Sequence, residues 1–246
     1  MSRPAPDGSI AARLSAVKAA IARAAERVRR DPGSVRIVAV TKGVGLEPIR
    51  EALALGLRTL GENRVQEALA KIEALADESP QWHLVGHLQS NKARQAAELF
   101  SMVQSIDSVH LVEALAARAQ RPLDVLIEVN AGEEPRKTGA RPAEVDAIVQ
   151  AITASPRLRL LGLMAIGPLE GGAEAARPVF RRLRSIRDDL RQRFSLELPE
   201  LSMGMSEDFP VAVEEGASML RLGRVLFAAS PDRVQASLGP GALPLK

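Results

Sequence analysis

Arg36-Ile37-Val38-Ala39-Val40-Thr41-Lys42-Gly43 is a β-branched apolar run that ends on a lysine and a glycine. Its length and composition are those of a buried strand. Upstream, Ile10 to Arg30 is Ala-rich with Leu14, Val17, Ile21 and Val28 at helical spacing, and Asp31-Pro32-Gly33 ends it. Downstream the apolar runs recur at 57–61, 82–86, 102–106, 123–129, 159–165, 198–203 and 219–223. Helical patterns separate them: Glu47 to Leu55, Val65 to Ala76, Lys92 to Leu99, Val109 to Ala119, Ala143 to Ala154, Ala173 to Phe194 and Phe209 to Glu215.

Eight strands alternating with helices predict an α/β chain, a (β/α)8 TIM-type barrel with an extra N-terminal helix. The rival is an open doubly wound sheet, but no G-x-G-x-x-G or Walker pattern follows any strand. Neither a linker nor a repeat divides the chain. A single domain over 1–246 is expected, with helix and turn at 1–33, barrel at 36–227 and a C-terminal tail at 228–246.

Composition narrows the chemistry. The 246 residues contain no cysteine, which excludes disulfides, thiolate metal sites and thiol nucleophiles. Aromatic content is 2% with no tyrosine, so stacking on single-stranded nucleic acid has little to work with. The net charge is +3, and the cluster Arg181-Arg182-Leu183-Arg184 has the spacing of a solvated helix face. No apolar stretch is long enough to span a bilayer and no signal peptide opens the sequence, so a cytoplasmic protein binding neither membrane nor nucleic acid is expected.

Of the 33 basic residues only six are lysines: Lys18, Lys42, Lys71, Lys92, Lys137 and Lys246. Lys42 at the mouth of a buried strand is either a snorkelling side chain or an amine partly desolvated toward its neutral, nucleophilic form, able to condense with a carbonyl. In a barrel, functional groups gather at the C-terminal strand ends. There the sequence places Lys42, Gly61-Glu62-Asn63, His87, Asp107, Asn130, Met164, Ser202-Met203-Gly204-Met205-Ser206 and Arg221-Leu222-Gly223-Arg224. The last two segments follow strands seven and eight, where barrels commonly bind phosphate, and Ser206 or Glu207 is expected to open the next helix. Met164, Met203 and Met205 read as barrel lining.

Together these segments resemble the pyridoxal phosphate homeostasis family, single-domain barrels related to the N-terminal domain of alanine racemase. The matching stretches are A-V-T-K at 39–42, G-E-N-R-V-Q-E at 61–67, W-H-L-V-G-H-L-Q-S-N-K at 82–92, S-I-D at 105–107 and E-V-N at 128–130. They continue with Lys137-Thr138-Gly139, G-L-M at 162–164, S-M-G-M-S-E-D at 202–208 and R-L-G at 221–223. The resemblance implies pyridoxal 5′-phosphate held as a Schiff base on Lys42, its phosphate by Ser202, Gly204, Ser206 and the backbone around Gly223 and Arg224. It implies Arg221 facing the pyridine nitrogen and Asn63 near the cofactor. Arg224 and Ala228 depart from the family, which usually has a small or hydroxyl residue and a glycine there.

An arginine at the ring nitrogen stays charged and does not readily yield a proton, which makes the ring a poorer electron sink. A racemase also needs a second base, a tyrosine in the related alanine racemases, and the chain has none. The expected function is therefore a non-catalytic carrier of pyridoxal phosphate, acting in cofactor and amino-acid homeostasis with pyridoxal-phosphate-dependent apo-enzymes as partners, and monomeric. The alternatives are a weak racemase using the same cofactor, with His87 as a candidate base, and a Schiff-base aldolase. A metal site on His83 and His87 lacks a carboxylate at motif spacing. Lys137, in a polar loop expected to be solvated, is the candidate for a second lysine that accepts or hands off cofactor.

Overall fold

A computed structural model of the chain describes residues 8–135, 137–168 and 170–227. Helix α1 (Ile10–Arg27) precedes β1 (Arg36–Val40), α2 (Leu46–Ala54), β2 (Thr59–Glu62), α3 (Val65–Ala74) and β3 (Gln81–Leu84). Then come α4 (Ala93–Leu99), β4 (Met102–Ile106), α5 (Val109–Ala116), β5 (Leu123–Glu128), α6 (Val145–Thr153) and β6 (Leu158–Met164). The last third holds α7 (Gly172–Ala175), α8 (Arg177–Phe194), β7 (Glu200–Ser202), α9 (Phe209–Glu214), β8 (Met219–Leu222) and α10 (Arg224–Phe227). The strands close in sequence order, β1 pairing with both β2 and β8, and all pairs are parallel. The barrel and the N-terminal helix are those the alternation predicts. The expected tail, 228–246, lies outside the described residues.

Side chains alternate across each strand, and the alternation sorts them into two apolar layers. Val38, Val40, Val85, Met102, Leu126, Met164 and Met219 fill the barrel interior. Ala39, Leu60, Val103, Ile127, Leu163, Leu201 and Leu222 face outward and pack beneath the helices. Met164 therefore lines the barrel as expected, whereas Met203 packs in the outer layer and Met205 is only half-buried. Helix α1 lies across the barrel's closing edge. Buried Arg13 donates from Nε to the carbonyl of Leu226 at 2.6 Å and ties α1 to α10.

Local chemistry explains the departures. The helix expected over 173–194 breaks into α7 and α8 because Pro178, with no N–H to donate, sits in the first turn of α8. The helix after β7 starts at Phe209, not at Ser206 or Glu207. Residues 206–208 form a turn, and Asp208 Oδ1 accepts the N–H of Met205 at 2.6 Å. Two strands carry an extra residue. The register slips between Val103 and Ile106 in β4, and in β6 Leu160 and Gly162 pair with consecutive residues of β5, leaving Leu161 between them. No helix among the described residues is long and apolar enough to cross a membrane.

Candidate functional site

The inward register leads to one end of the barrel. Val38 and Val40 point inside, so position 42 continues that face as β1 runs out into the turn at Lys42-Gly43. Lys42 is exposed there, so the protein does not itself supply the desolvation anticipated from the sequence. On β2 a Cβ at Gly61 would touch Val38 and Val40, so that residue also faces inward, and Asn63, two residues on, sits half-buried at the same rim.

Beneath this mouth a directed chain of hydrogen bonds crosses the barrel. Arg221, one residue from the end of β8, is 5% exposed. Its Nη1 donates to Ser202 Oγ at 2.7 Å and its Nη2 to the carbonyl of Ala165 at 2.8 Å. Ser202 Oγ spends its own proton on Gln104 Oε1 at 2.6 Å, and Gln104 Nε2 lies 2.9 Å from His83 Nδ1. Because that amide nitrogen is a donor, Nδ1 accepts, and the proton of the neutral imidazole is on Nε2. Gln104, Ser202 and His83 are all buried. Burial pulls Arg221 down to about 10, with Asp208 and Glu128 acting the other way, so the guanidinium remains charged at neutral pH. The same desolvation raises both carboxyls above their ordinary range, and Glu128 accepts the hydroxyl of Thr138 at 2.7 Å.

Ser202 is thus fully engaged under Arg221, and its hydroxyl proton is not free for a phosphate. Three other expected phosphate ligands lie together on the far rim. Gly204 has φ +93°, and a Cβ there would come within 2.5 Å of Ala212, so only glycine fits. Ser206 Oγ accepts the N–H of Val225 at 3.2 Å, which ties the loop after β7 to the start of α10 behind Gly223. Arg224 points away. It is exposed and pairs with Glu207 at 2.9 Å on the surface.

The remaining candidates are also placed. His87 is half exposed on the same rim, with Nδ1 3.2 Å from Asp107. Lys137 is not solvated as expected from its polar loop. It donates to Glu134 Oε1 at 2.5 Å and to the carbonyl of Gly167 at 2.9 Å, and is largely covered. Among the described residues no three His, Asp or Glu side chains are grouped to hold a metal. A cavity of about 490 Å³ lies at the opposite end of the barrel, lined by Lys18, Arg36 and Arg58 among apolar groups, and contains none of these residues.

His83 carries a pH prediction. Burial, reinforced by the charge of Arg36, lowers it from 6.5 to about 4. Between those values the unfolded chain binds a proton that the folded chain refuses, so stability falls as pH drops through the window, by about 3 kcal/mol at most. Urea unfolding of His83→Gln between pH 7 and pH 4 is expected to show a shallower loss than the wild type; parallel curves would show that His83 is not the group responsible.

Sequence reasoning missed Gln104 as a site residue, because Met102-Val103-Gln104-Ser105-Ile106 reads as one apolar run. A glutamine in the middle of a barrel strand was the available signal. Glu62 was placed at a strand end but given no role, and Lys71 was named only among the six lysines.

A closed barrel with a lysine, a buried arginine and a glycine-serine rim at its C-terminal mouth defines a class. The family model described as alanine racemase, N-terminal domain, matches residues 13–231. An alanine racemase of Corynebacterium glutamicum superposes with a TM-score of 0.72 at 18% identity, over 96% of this chain and 64% of that one, a likeness of fold. Within that class the match is sharper. A pyridoxal phosphate homeostasis protein of Aquifex aeolicus is 42% identical over 218 residues, 87% of this chain and 96% of the relative. The structure of PipY from Synechococcus elongatus with PLP bound is 39% identical, covers 89% of this chain and all of that one, and has a TM-score of 0.79. The chain belongs to the pyridoxal phosphate homeostasis protein family.

Proposed function

We propose that the chain binds pyridoxal 5′-phosphate as a Schiff base on Lys42 and acts as a carrier or buffer of the cofactor, in cofactor and amino-acid homeostasis, rather than as a catalyst. One observation carries the reading. Arg221 is a buried cation whose two terminal nitrogens are hydrogen-bonded to neutral oxygens, on the inward face of the mouth that Lys42 also continues. A fixed, permanently charged donor on the barrel floor suits the lone pair of an aromatic nitrogen and has no proton to surrender there.

When bound, pyridoxal phosphate supplies an aldehyde that combines reversibly with amines and a ring that can withdraw electrons. The chain's residues then divide the work. Lys42 offers the amine. Arg221, held by Ser202 and Ala165, would meet the ring nitrogen and keep the ring a weak electron sink. Ser206 and the backbone at Gly204 and Gly223 would hold the phosphate, with small residues allowing close approach. Asn63 would flank the ring. Ser202 serves from beneath, through Arg221, and Arg224 stays with Glu207 on the surface. Neither tyrosine nor cysteine is present to act as a second base, which favours a carrier over a racemase. Transfer to apo-enzymes and a monomeric state complete the proposal.

The test is the absorption spectrum of the protein mixed with pyridoxal phosphate, followed by borohydride reduction and peptide mapping. A visible band that reduction converts into a pyridoxyl group on the Lys42 peptide is expected. A colourless, unmodified protein would overturn the reading. Release of the α-deuteron from labelled amino acids, at a rate proportional to bound cofactor, would overturn the non-catalytic part.

A further inference from the structure

Thr41, the residue before Lys42, is fully buried and bound from four directions. Its N–H donates to the carbonyl of Gly61 at 2.9 Å, and its carbonyl accepts the N–H of Val44 at 2.9 Å. Its hydroxyl donates to Glu62 Oε1 at 2.6 Å, and its carbonyl also accepts from Lys71 Nζ at 2.6 Å. Lys71 Nζ closes the set by pairing with the same Glu62 Oε1 at 2.6 Å. Glu62 is wholly inaccessible, and the Lys71 side chain is 15% exposed.

This arrangement is costly, so it calls for an explanation. Removing two charges from water consumes most of what their attraction returns, and apolar replacements are often as stable. Glu62 Oε2 even has no hydrogen-bond partner among the described residues, a further penalty in a buried site. Basic positions in this chain are overwhelmingly arginine, yet this one is lysine, whose compact ammonium can reach a carboxylate and a carbonyl at once. The pair sits in the outer layer, between β2 and α3. Lys71 lies in the last turn of α3, and the tilt of helical side chains toward the N-terminus points it back toward the barrel mouth.

We infer that the Glu62–Lys71 pair is a positioning device for Lys42, an inference that rests on Lys42 being the cofactor's anchor. The turn is the lever. The Thr41 carbonyl that Lys71 holds also accepts the N–H of Val44 and closes the turn in which Lys42 and Gly43 sit. Fixing Thr41 by both its hydroxyl and its carbonyl therefore fixes the start of that turn and the direction in which Lys42 leaves it. Lys42 has no ion pair or hydrogen bond among the described residues to orient it, and the clamp supplies that orientation through the backbone. Neither Glu62 nor Lys71 touches the cofactor in this account.

The experiment separates orientation from binding and from stability. Glu62→Met/Lys71→Met replaces the pair by apolar side chains of similar length, and Lys71→Arg keeps the charge. Two probes are used: pyridoxal 5′-phosphate, with covalent attachment followed by absorbance, and pyridoxine 5′-phosphate, which has no aldehyde and reports binding alone. The double variant is expected to fold, to bind pyridoxine phosphate within about twofold of the wild type, and to attach pyridoxal phosphate about ten- to a hundredfold more slowly. Lys71→Arg is expected to recover part of that rate. If the double variant fails to fold, Thr41→Val, which removes only the hydroxyl's bond to Glu62, is expected to slow attachment by a smaller factor with pyridoxine phosphate binding unchanged. Attachment at the wild-type rate in the folded variant overturns the clamp alone. Wild-type protein labelled on a lysine other than Lys42 overturns the anchor and the clamp with it.

Discussion

Lys42→Ala is expected to melt within about 2 °C of the wild type and to carry no pyridoxyl group after incubation with pyridoxal phosphate and borohydride reduction. The two halves of this result come from different features. Stability survives because Lys42 is exposed and engages no other described side chain, and substitutions at such positions shift folding free energy by about 0.5 kcal/mol or less. Covalent attachment is lost because two other lysines near the mouth, Lys71 and Lys137, are already committed, and Lys92 is half-buried at the start of α4 rather than at the end of a strand. Lys71 is bound to Glu62 and to the carbonyl of Thr41, and Lys137 to Glu134 and the carbonyl of Gly167. Freeing either amine means breaking a charge-assisted hydrogen bond first. The phosphate rim and Arg221 are untouched, so the variant is expected to keep its affinity for pyridoxine phosphate. Intact mass and peptide mapping decide the matter: a full equivalent of adduct on the alanine variant, wherever it maps, would remove Lys42 from its role.

That prediction begins from a residue the sequence exposed directly, and much of the fold was equally open to reading. Arg36 to Val40 is a strand because β-branched residues alternate between two buried faces, and short apolar runs, with or without β-branched residues, mark each of the eight strands to within two residues. Lys42, Asn63, Ser206 and Arg221 follow from their places at strand ends. Ser202 was legible as a site residue but not in its role, since its hydroxyl is taken by Gln104, a residue 98 positions away. Nothing local in the sequence announces that bond. It depends on distant strands closing into one barrel: Met102 faces in and Val103 out, so Gln104 turns in again toward His83 and Ser202. The extra residue in β4 acts only beyond it, leaving Ile106 against the helices. Arg224 misleads for the opposite reason. Its neighbours put it beside the proposed phosphate rim, whereas in space its guanidinium pairs with Glu207 on the surface. Local pattern reveals elements and their ends; pairing across distant strands decides which side chains meet.

Gly162→Ala should show how much of the site depends on that pairing, because it acts on the second slipped strand. Leu161 packs in the barrel interior and Leu163, two residues later, in the outer layer, so the strand changes face between them. The extra residue at 161 makes this possible, and without it every side chain beyond would turn to the other face. Gly162 sits at the switch with φ +155°, and a Cβ there would lie 1.9 Å from the carbonyl oxygen of Glu200 on β7 and 2.7 Å from its carbon. Both atoms are backbone, in a strand held between β6 and β8. No side chain can move aside to admit the methyl group, so β6 and β7 must separate. A cost of about 4 kcal/mol or more is expected, a fall in Tm of roughly 8–15 °C. The functional loss should exceed what unfolding explains. Beyond the switch, Met164 fills the barrel interior and the carbonyl of Ala165 holds Arg221. A folded fraction with displaced β6 is therefore expected to bind pyridoxine phosphate at least about tenfold more weakly than the wild type at a temperature where both are native. If the variant melts within about 3 °C of the wild type, the close approach of β6 and β7 does not constrain this position, and the switch of face must be held by something other than the glycine.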